Sequence, residues 1–305
     1  MAIRASIDLG TNTCLLLVAD CDERGQVTHI VSDHSTIVRL GEGVDKTHEL
    51  QPQAIERTML CLKKYGQICH EAGVHPGNAI CVGTSSSRDA TNGKFFYAEV
   101  ERDTSFRFRV ISGDDEAKYT FLGGLLPGMK PERSAVIDIG GGSTEIISHS
   151  NGQTNGMSLD IGSVRFTERY LKSNPVTDAE FWACQDAIDQ ALEAAVLWRG
   201  KNQKIETLVA VAGTATTLAA WHLELAKFDA RKIDECRLTR GDVHRMVEEL
   251  KWRTYVERVS LPGIEKGRED VLLAGALILW RAMELLQFSE VQISTRGLRF
   301  GILRI

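Results

Sequence analysis

The sequence predicts an α/β fold written twice. The phrase Ile7-Asp8-Leu9-Gly10-Thr11-Asn12-Thr13 returns as Ile137-Asp138-Ile139-Gly140-Gly141-Gly142-Ser143, 130 positions later. Ile80-Cys81-Val82-Gly83-Thr84 returns as Ala210-Val211-Ala212-Gly213-Thr214 at the same offset of 130. Two matches at one offset point to a duplicated domain. In addition, each half opens with strand-like segments and continues with helix-like ones, the order that gives mixed sheets covered by helices. A length of 305 residues suits two medium domains. We place them at 1–121 and 122–305, with the connection within 121–129.

Alternating and apolar runs at 6–9, 15–20 and 27–33 read as three strands, with turns at Gly10-Thr11-Asn12 and Asp22-Glu23-Arg24-Gly25. Pro52 opens a helix whose apolar residues Ile55, Met59, Leu62, Tyr65 and Cys69 keep helical spacing to Ala72. Strands follow at 79–82 and 107–112, and a helix starts at Asp114 or Asp115 and runs to about Leu122. The second half repeats the plan with strands at 135–139, 145–148 and 153–159. Thr177-Asp178-Ala179-Glu180 is a capping box for a long helix to about Trp198. A strand at 208–211, helices after Thr239 and Asp270, and a late strand at 291–294 complete the chain.

In both copies an apolar strand runs into Asp and then into Gly flanked by Thr, Ser or more Gly. Gly lets the backbone approach a ligand closely. Successive N–H groups then converge on an anion, with hydroxyls as further donors. An Asp at the strand end can orient a hydrated Mg²⁺ or hydrogen-bond the loop. These segments therefore read as phosphate clamps: Gly10, Thr11, Asn12 and Thr13 in one half, Gly140, Gly141, Gly142 and Ser143 in the other. Two such clamps facing each other across a central cleft would hold a phosphate chain from both sides.

A net charge of −5 argues against a general nucleic-acid or membrane-surface binder, so a polyanion has to be met by local Arg, Lys, loop N–H groups and metal. The seven cysteines form no CxxC and read as reduced, packed thiols of a cytoplasmic protein; Cys14, beside the first clamp, reads as packing and not as a nucleophile. The first residues enter a strand at once, with no signal peptide expected. The apolar run 271–280 is too short to span a bilayer and reads as a buried helix. The eight histidines lie outside the clamp phrases and receive no role.

Further charged residues sit where strands become turns. Arg88 follows Gly83-Thr84-Ser85-Ser86-Ser87, where a guanidinium can fork onto phosphate oxygens. Ser112-Gly113-Asp114-Asp115-Glu116 puts three acids at a helix N-terminus. The helix dipole accounts for Asp114 and Asp115, whereas Glu116, one residue deeper, can point into the cleft. Arg165 follows the Gly162-Ser163 turn.

Taken together, these phrases resemble the exopolyphosphatase / guanosine pentaphosphate phosphohydrolase (Ppx/GppA) family. The matching segments are Asp8-Leu9-Gly10-Thr11-Asn12-Thr13, Arg39-Leu40-Gly41-Glu42-Gly43, and residues 83–92, 111–117, 136–145, 158–168, 213–218 and 268–276. They cover nearly the whole chain in order. The resemblance implies two duplicated ribonuclease-H-like domains of the actin and sugar-kinase superfamily, in a short two-domain form. It implies a hydrolase that releases terminal phosphate from inorganic polyphosphate, or the 5′-phosphate of guanosine pentaphosphate, with Mg²⁺. Glu116 then matches the catalytic glutamate acting on the attacking water. Asp138 and Glu145 match the acids that hold metal and water, with Asp8 as a further metal-side carboxylate. Arg88 and the loops at Gly10–Thr13, Gly140–Ser143 and Gly213-Thr214 match the phosphate-binding groups. A homodimer is implied as well.

The chain departs from the family pattern at five positions: Asp115 stands where Glu is usual, Ser86 and Ser87 where apolar residues are, and Thr295 and Phe300 where acids are. Two rival readings use the same clamps. One is a kinase of the same superfamily, which needs an acceptor pocket and an adenosine site, with Ala274-Gly275-Ala276 as its trace. The other is a non-catalytic sensor of guanosine tetra- or pentaphosphate.

Overall fold

The computed structural model of the chain describes residues 2–150 and 152–305. Two compact α/β units emerge, residues 1–123 with 297–305, and residues 124–296.

The first unit opens with β1 (Ala2–Leu9), β2 (Thr13–Cys21) and β3 (Val27–Ile37), paired antiparallel in succession. The short α1 (Val44–Thr47) leads to α2 (Pro52–Glu71). Pro52 begins α2 at a position where its missing N–H has no intrahelical partner to lose. Met59, Leu62, Tyr65 and Cys69 form the buried stripe expected of α2 and pack with Ile7, Leu9, Cys14 and Leu16. The chain continues through β4 (Ile80–Gly83), α3 (Ser85–Asp89), α4 (Gly93–Thr104), β5 (Phe108–Val110) and α5 (Gly113–Gly124). The sheet order is β3-β2-β1-β4-β5, with β4 parallel to β1.

The second unit repeats this opening with β6 (Ser134–Ile139), β7 (Thr144–Ser150) and β8 (Gln153–Leu159). The hairpin register also repeats residue for residue: Leu9 faces Cys14 and Ile139 faces Thr144, again 130 positions apart. Then come α6 (Ser163–Tyr170), α7 (Asp178–Lys201), β9 (Thr207–Val211), α8 (Ala212–His222), α9 (Ala230–Asp234), β10 (Arg237–Thr239), α10 (Arg240–Trp252), α11 (Tyr255–Val259), α12 (Leu272–Leu285) and β11 (Glu290–Ile293). The order here is β10-β11-β9-β6-β7-β8, with β9 parallel to β6. The expected capping box opens α7: Glu180 N donates to Thr177 Oγ1, and Thr177 N to Glu180 Oε2. The apolar run at 271–280 falls in α12, buried all round from Leu272 to Leu279. Among the described residues no helix is long and apolar enough to cross a membrane. All seven cysteines are free and buried.

The C-terminal residues depart from the expected boundary at 305. Residues 297–305, with α13 (Leu298–Gly301), belong to the first unit. The physical reason is an apolar surface that needs cover. Leu298 and Ile302 pack on Val82 and Ile111, while Phe300 and Leu303 pack on Leu17, Ala19 and Cys21. Polar bonds fix the segment: Ser6 Oγ donates to Arg299 O at 2.7 Å, and Arg299 grips Asp33 through two contacts of 3.0 Å. Phe300, one of the departures from the family pattern, is therefore a core residue.

Candidate active site

In the first unit the loop after β1 closes by Gly10 N donating to Thr13 O at 2.9 Å. Its carbonyls are turned to one side. Asn12 O accepts from Val38 N and Arg39 N, and Thr11 O from Gly41 N at 2.8 Å. Gly41 is required there, because a Cβ would collide with the Thr11 side chain. Among the described residues the N–H groups of Thr11 and Asn12 donate to no protein acceptor, and Asn12 Oδ1 is buried without a partner. Such groups await water or ligand. A Thr11–Ser85 hydroxyl contact of 2.9 Å and Thr84 N donating to Leu9 O tie this loop to the start of α3.

α3 carries Arg88, whose Nη1 donates to Ile111 O at 3.0 Å and to Glu116 Oε2 at 2.7 Å. Glu116 lies in the first turn of α5 with a side chain only 9% exposed, whereas Asp114 and Asp115 are exposed. The helix phase thus separates the three acids as expected. Burial pushes the Glu116 carboxyl up from its ordinary range and Arg88 pulls it back, with the net shift upward. Ser86 and Ser87 are buried at the base of this turn. Ser87 shares a hydroxyl bond with Tyr97, and Ser86 Oγ has no partner among the described residues.

The second unit repeats the loop. Gly140 N donates to Ser143 O at 3.0 Å, as Gly10 does to Thr13. The carbonyls are again held from one side, by Ser163 N on Gly140 O and by Val164 N and Arg165 N on Gly141 O. Arg165 Nε holds Gly142 O at 2.7 Å, so this arginine shapes the loop. Gly162 lies against the Gly141 and Gly142 backbone, with no room for a Cβ. Among the described residues the N–H groups of Gly141, Gly142 and Ser143 donate to no protein acceptor.

Asp138, Glu145 and Ser158 form one row across β6, β7 and β8. Glu145 is 1% exposed and accepts from Ser158 Oγ at 2.6 Å. Two carboxylates on one face supply the oxygen donors that Mg²⁺ prefers; it takes one or two carboxylates and leaves its other positions to water and phosphate. The donor set fits that ion. Among the described residues no cluster of three or more His, Cys, Asp or Glu stands as a complete cage. Asp8, the further expected metal-side carboxylate, ends β1 in the first unit, half-buried.

The last loop begins at Ala212, held at φ 65°, followed by Gly213 and Thr214 at the N-terminus of α8. Here the structure adds a residue the sequence reading gave no role. The Arg268 guanidinium occupies the space where a Gly213 side chain would be. It is buried, and its bond to Glu265 is long at 3.5 Å. The signal available in the sequence was Arg268-Glu269-Asp270 immediately before a buried helix, but only tertiary packing puts it on Gly213.

The family model for the Ppx/GppA phosphatases matches residues 17–304. This chain belongs to the Ppx/GppA phosphatase family. Exopolyphosphatase 2 of Mycobacterium tuberculosis is 34% identical over 90% of this chain and 88% of its own length. A bifunctional 3-dehydroquinate synthase/phosphatase of Fusobacterium nucleatum is 33% identical over 91% of this chain, which spans only 42% of that longer protein. A solved exopolyphosphatase-like protein superposes with a TM-score of 0.89 at 31% identity, covering 99% of this chain and 98% of its own. The fold of this Ppx/GppA member is accordingly the actin-like, two-domain design that the repeat pointed to.

Proposed function

We propose that this Ppx/GppA chain is an exopolyphosphatase that releases terminal phosphate from inorganic polyphosphate by direct attack of water. The observation that carries the proposal is the Arg88–Glu116 pair, a buried carboxylate 2.7 Å from a guanidinium at the mouth of a phosphate-type loop. Glu116 takes a proton from the attacking water as its oxygen bonds to the terminal phosphorus. The bridging P–O bond breaks, and the shortened chain leaves with the bridging oxygen. Arg88 spends Nη1 on Ile111 and Glu116, which leaves Nε and Nη2 for the phosphate oxygens. In the first unit the free N–H groups of the 10–13 loop would take further phosphate oxygens; the second unit has loops of the same kind at 140–143 and 213–214, with Arg268 beside the latter. Positioning and charge neutralisation of this kind are most of what anhydride cleavage requires.

Mg²⁺ would be held by Asp138 and Glu145 of the second unit, and Asp8 is the corresponding candidate carboxylate of the first; when bound the ion supplies charge neutralisation and orients water. The same chemistry would remove the 5′-phosphate of guanosine pentaphosphate. A cytoplasmic location fits the seven reduced thiols, and a homodimer is part of the proposal, checked by sedimentation. Phosphate release from long polyphosphate, tripolyphosphate, guanosine pentaphosphate and ATP, side by side with Mg²⁺, tests the function. Release only in the presence of an acceptor would favour the kinase reading, and binding without release the sensor.

A further inference from the structure

We propose that the C-terminal segment, residues 297–303, is a wedge that sets the height of α5 and so positions Glu116 against Arg88, with Gly301 and Gly123 as positioning residues. The inference rests on the proposed role of Glu116 and adds what holds it.

Two backbones meet here with nothing between them. A Cβ on Gly301 would collide with the Tyr119 carbonyl of α5, and a Cβ on Gly123 with Gly297 O and Gly301 N. Position 123 is two helical turns beyond position 116, so the side of α5 pressed on α13 is the side from which Glu116 projects. The opposite side of α13 is anchored to the sheet. Arg299 holds Asp33 of β3, Ser6 of β1 holds Arg299 O, and Leu298 and Ile302 pack on Val82 and Ile111. Ile111 is also the residue whose carbonyl holds Arg88 at 3.0 Å. One small element therefore touches the supports of both partners. The relation of carboxylate to guanidinium is set by how closely α13 lets α5 approach. Ordinary helix packing would need neither two side-chain-free contacts nor a doubly bonded buried arginine behind them.

The charged group that faces Glu116 among the described residues is Arg88 from α3; Arg299 of α13 faces Asp33, and Asp114, Asp115 and Lys118 on α5 itself are exposed. Lifting α5 thus leaves Glu116 without its cation, and its carboxyl rises further. The test is Gly301→Ala in the full chain, assayed on polyphosphate across pH. The expected result is a fall in kcat of about tenfold or more, KM within about twofold, and an acid limb of kcat moved to higher pH by about one unit. Arg299→Lys inserts no atom at the contact and keeps the charge; it should move the acid limb the same way by less, and stands in if Gly301→Ala does not fold. A folded Gly301→Ala or Arg299→Lys protein with lower kcat but an unmoved acid limb overturns the positioning role. Glu116→Gln, run beside them, separates the two readings. Full turnover in that variant means the base was misassigned, while loss of turnover there with an unmoved limb in the others removes only the wedge.

Discussion

Asp138 lies directly across from Glu145 on neighbouring antiparallel strands, in the same register where the first copy sets Asp8 across from Leu15. The duplication therefore supplied two loops of one shape but only one pair of facing carboxylates. The first unit carries instead the Arg88–Glu116 pair. The proposed base and the two proposed metal-side acids that face each other thus lie in different copies, and each assignment can be tested separately.

Replacing Glu116 by Gln keeps size and much of the hydrogen bonding but removes the basic oxygen. Turnover on polyphosphate should drop by about 10²–10⁴-fold, with binding retained or tighter. Asp115→Asn should cost little, because Asp115 is exposed at the helix start. Steady-state phosphate release from the two variants checks this, and a larger loss at Asp115 would identify the wrong acid.

Arg88→Ala removes the guanidinium proposed to bind phosphate and strands a buried carboxylate. Substrate binding should weaken by about 1.5–3 kcal/mol. The Glu116 carboxyl, already raised by burial, rises further without its cation. A carboxyl with a raised folded-state pKa destabilises the protein as pH climbs through and above its ordinary range. The stability deficit of Arg88→Ala should therefore be small near pH 4 and reach about 2 kcal/mol by pH 8. Adding Glu116→Gln should recover most of it in urea unfolding at both pH values.

Arg268→Met keeps the aliphatic stem and removes the cation beside the start of α8. Polyphosphate should raise the melting temperature of the wild type and raise that of the variant far less, because stabilisation by a ligand follows its affinity. Equal shifts in the two proteins would show that Arg268 does not meet the substrate.

Glu145→Gln and Asp138→Asn test the metal side. Titrating Mg²⁺ against phosphate release should show an apparent affinity for the ion lower by about tenfold or more in each. Ser158→Ala, which removes the 2.6 Å bond to Glu145, should weaken it in the same direction by less. An unchanged Mg²⁺ titration in all three would place the ion elsewhere.

Much of this was legible because turns and caps are local. The Gly10 and Gly140 loops, the Thr177 cap and the α2 stripe follow from residues within a few positions of one another. Glu116 was separable from Asp114 and Asp115 by helix phase alone. Of the helices of eight residues or more, α4, α6 and α8 escaped the reading. α4 buries only Phe96 and Val100 among its large residues while Phe95 stays exposed, so its pattern carries little helical signal. α6 begins inside a phrase that reads as a Gly-Ser turn. The destination of residues 297–305 was not legible either: Leu298, Phe300, Ile302 and Leu303 announce that they will be buried, but not on which unit. Arg268 belongs to the same class, since its neighbour Gly213 is 55 positions away in the chain.

The return of α13 to the first unit makes the second unit an insertion and not a tandem successor. On the ribosome, residues 124–296 can emerge and fold as a continuous stretch, whereas the first half must wait for residues 297–305 before its sheet is covered. The half that is translated first is thus the half that is completed last. A chain cut before residue 297 would expose Leu17, Ala19 and Val82 in the amino-terminal half and leave the half beside the cut intact. A chain lacking residues 297–303 would leave the strand and loop behind the Arg88–Glu116 pair, Val82 and Ile111, without the residues that pack on them.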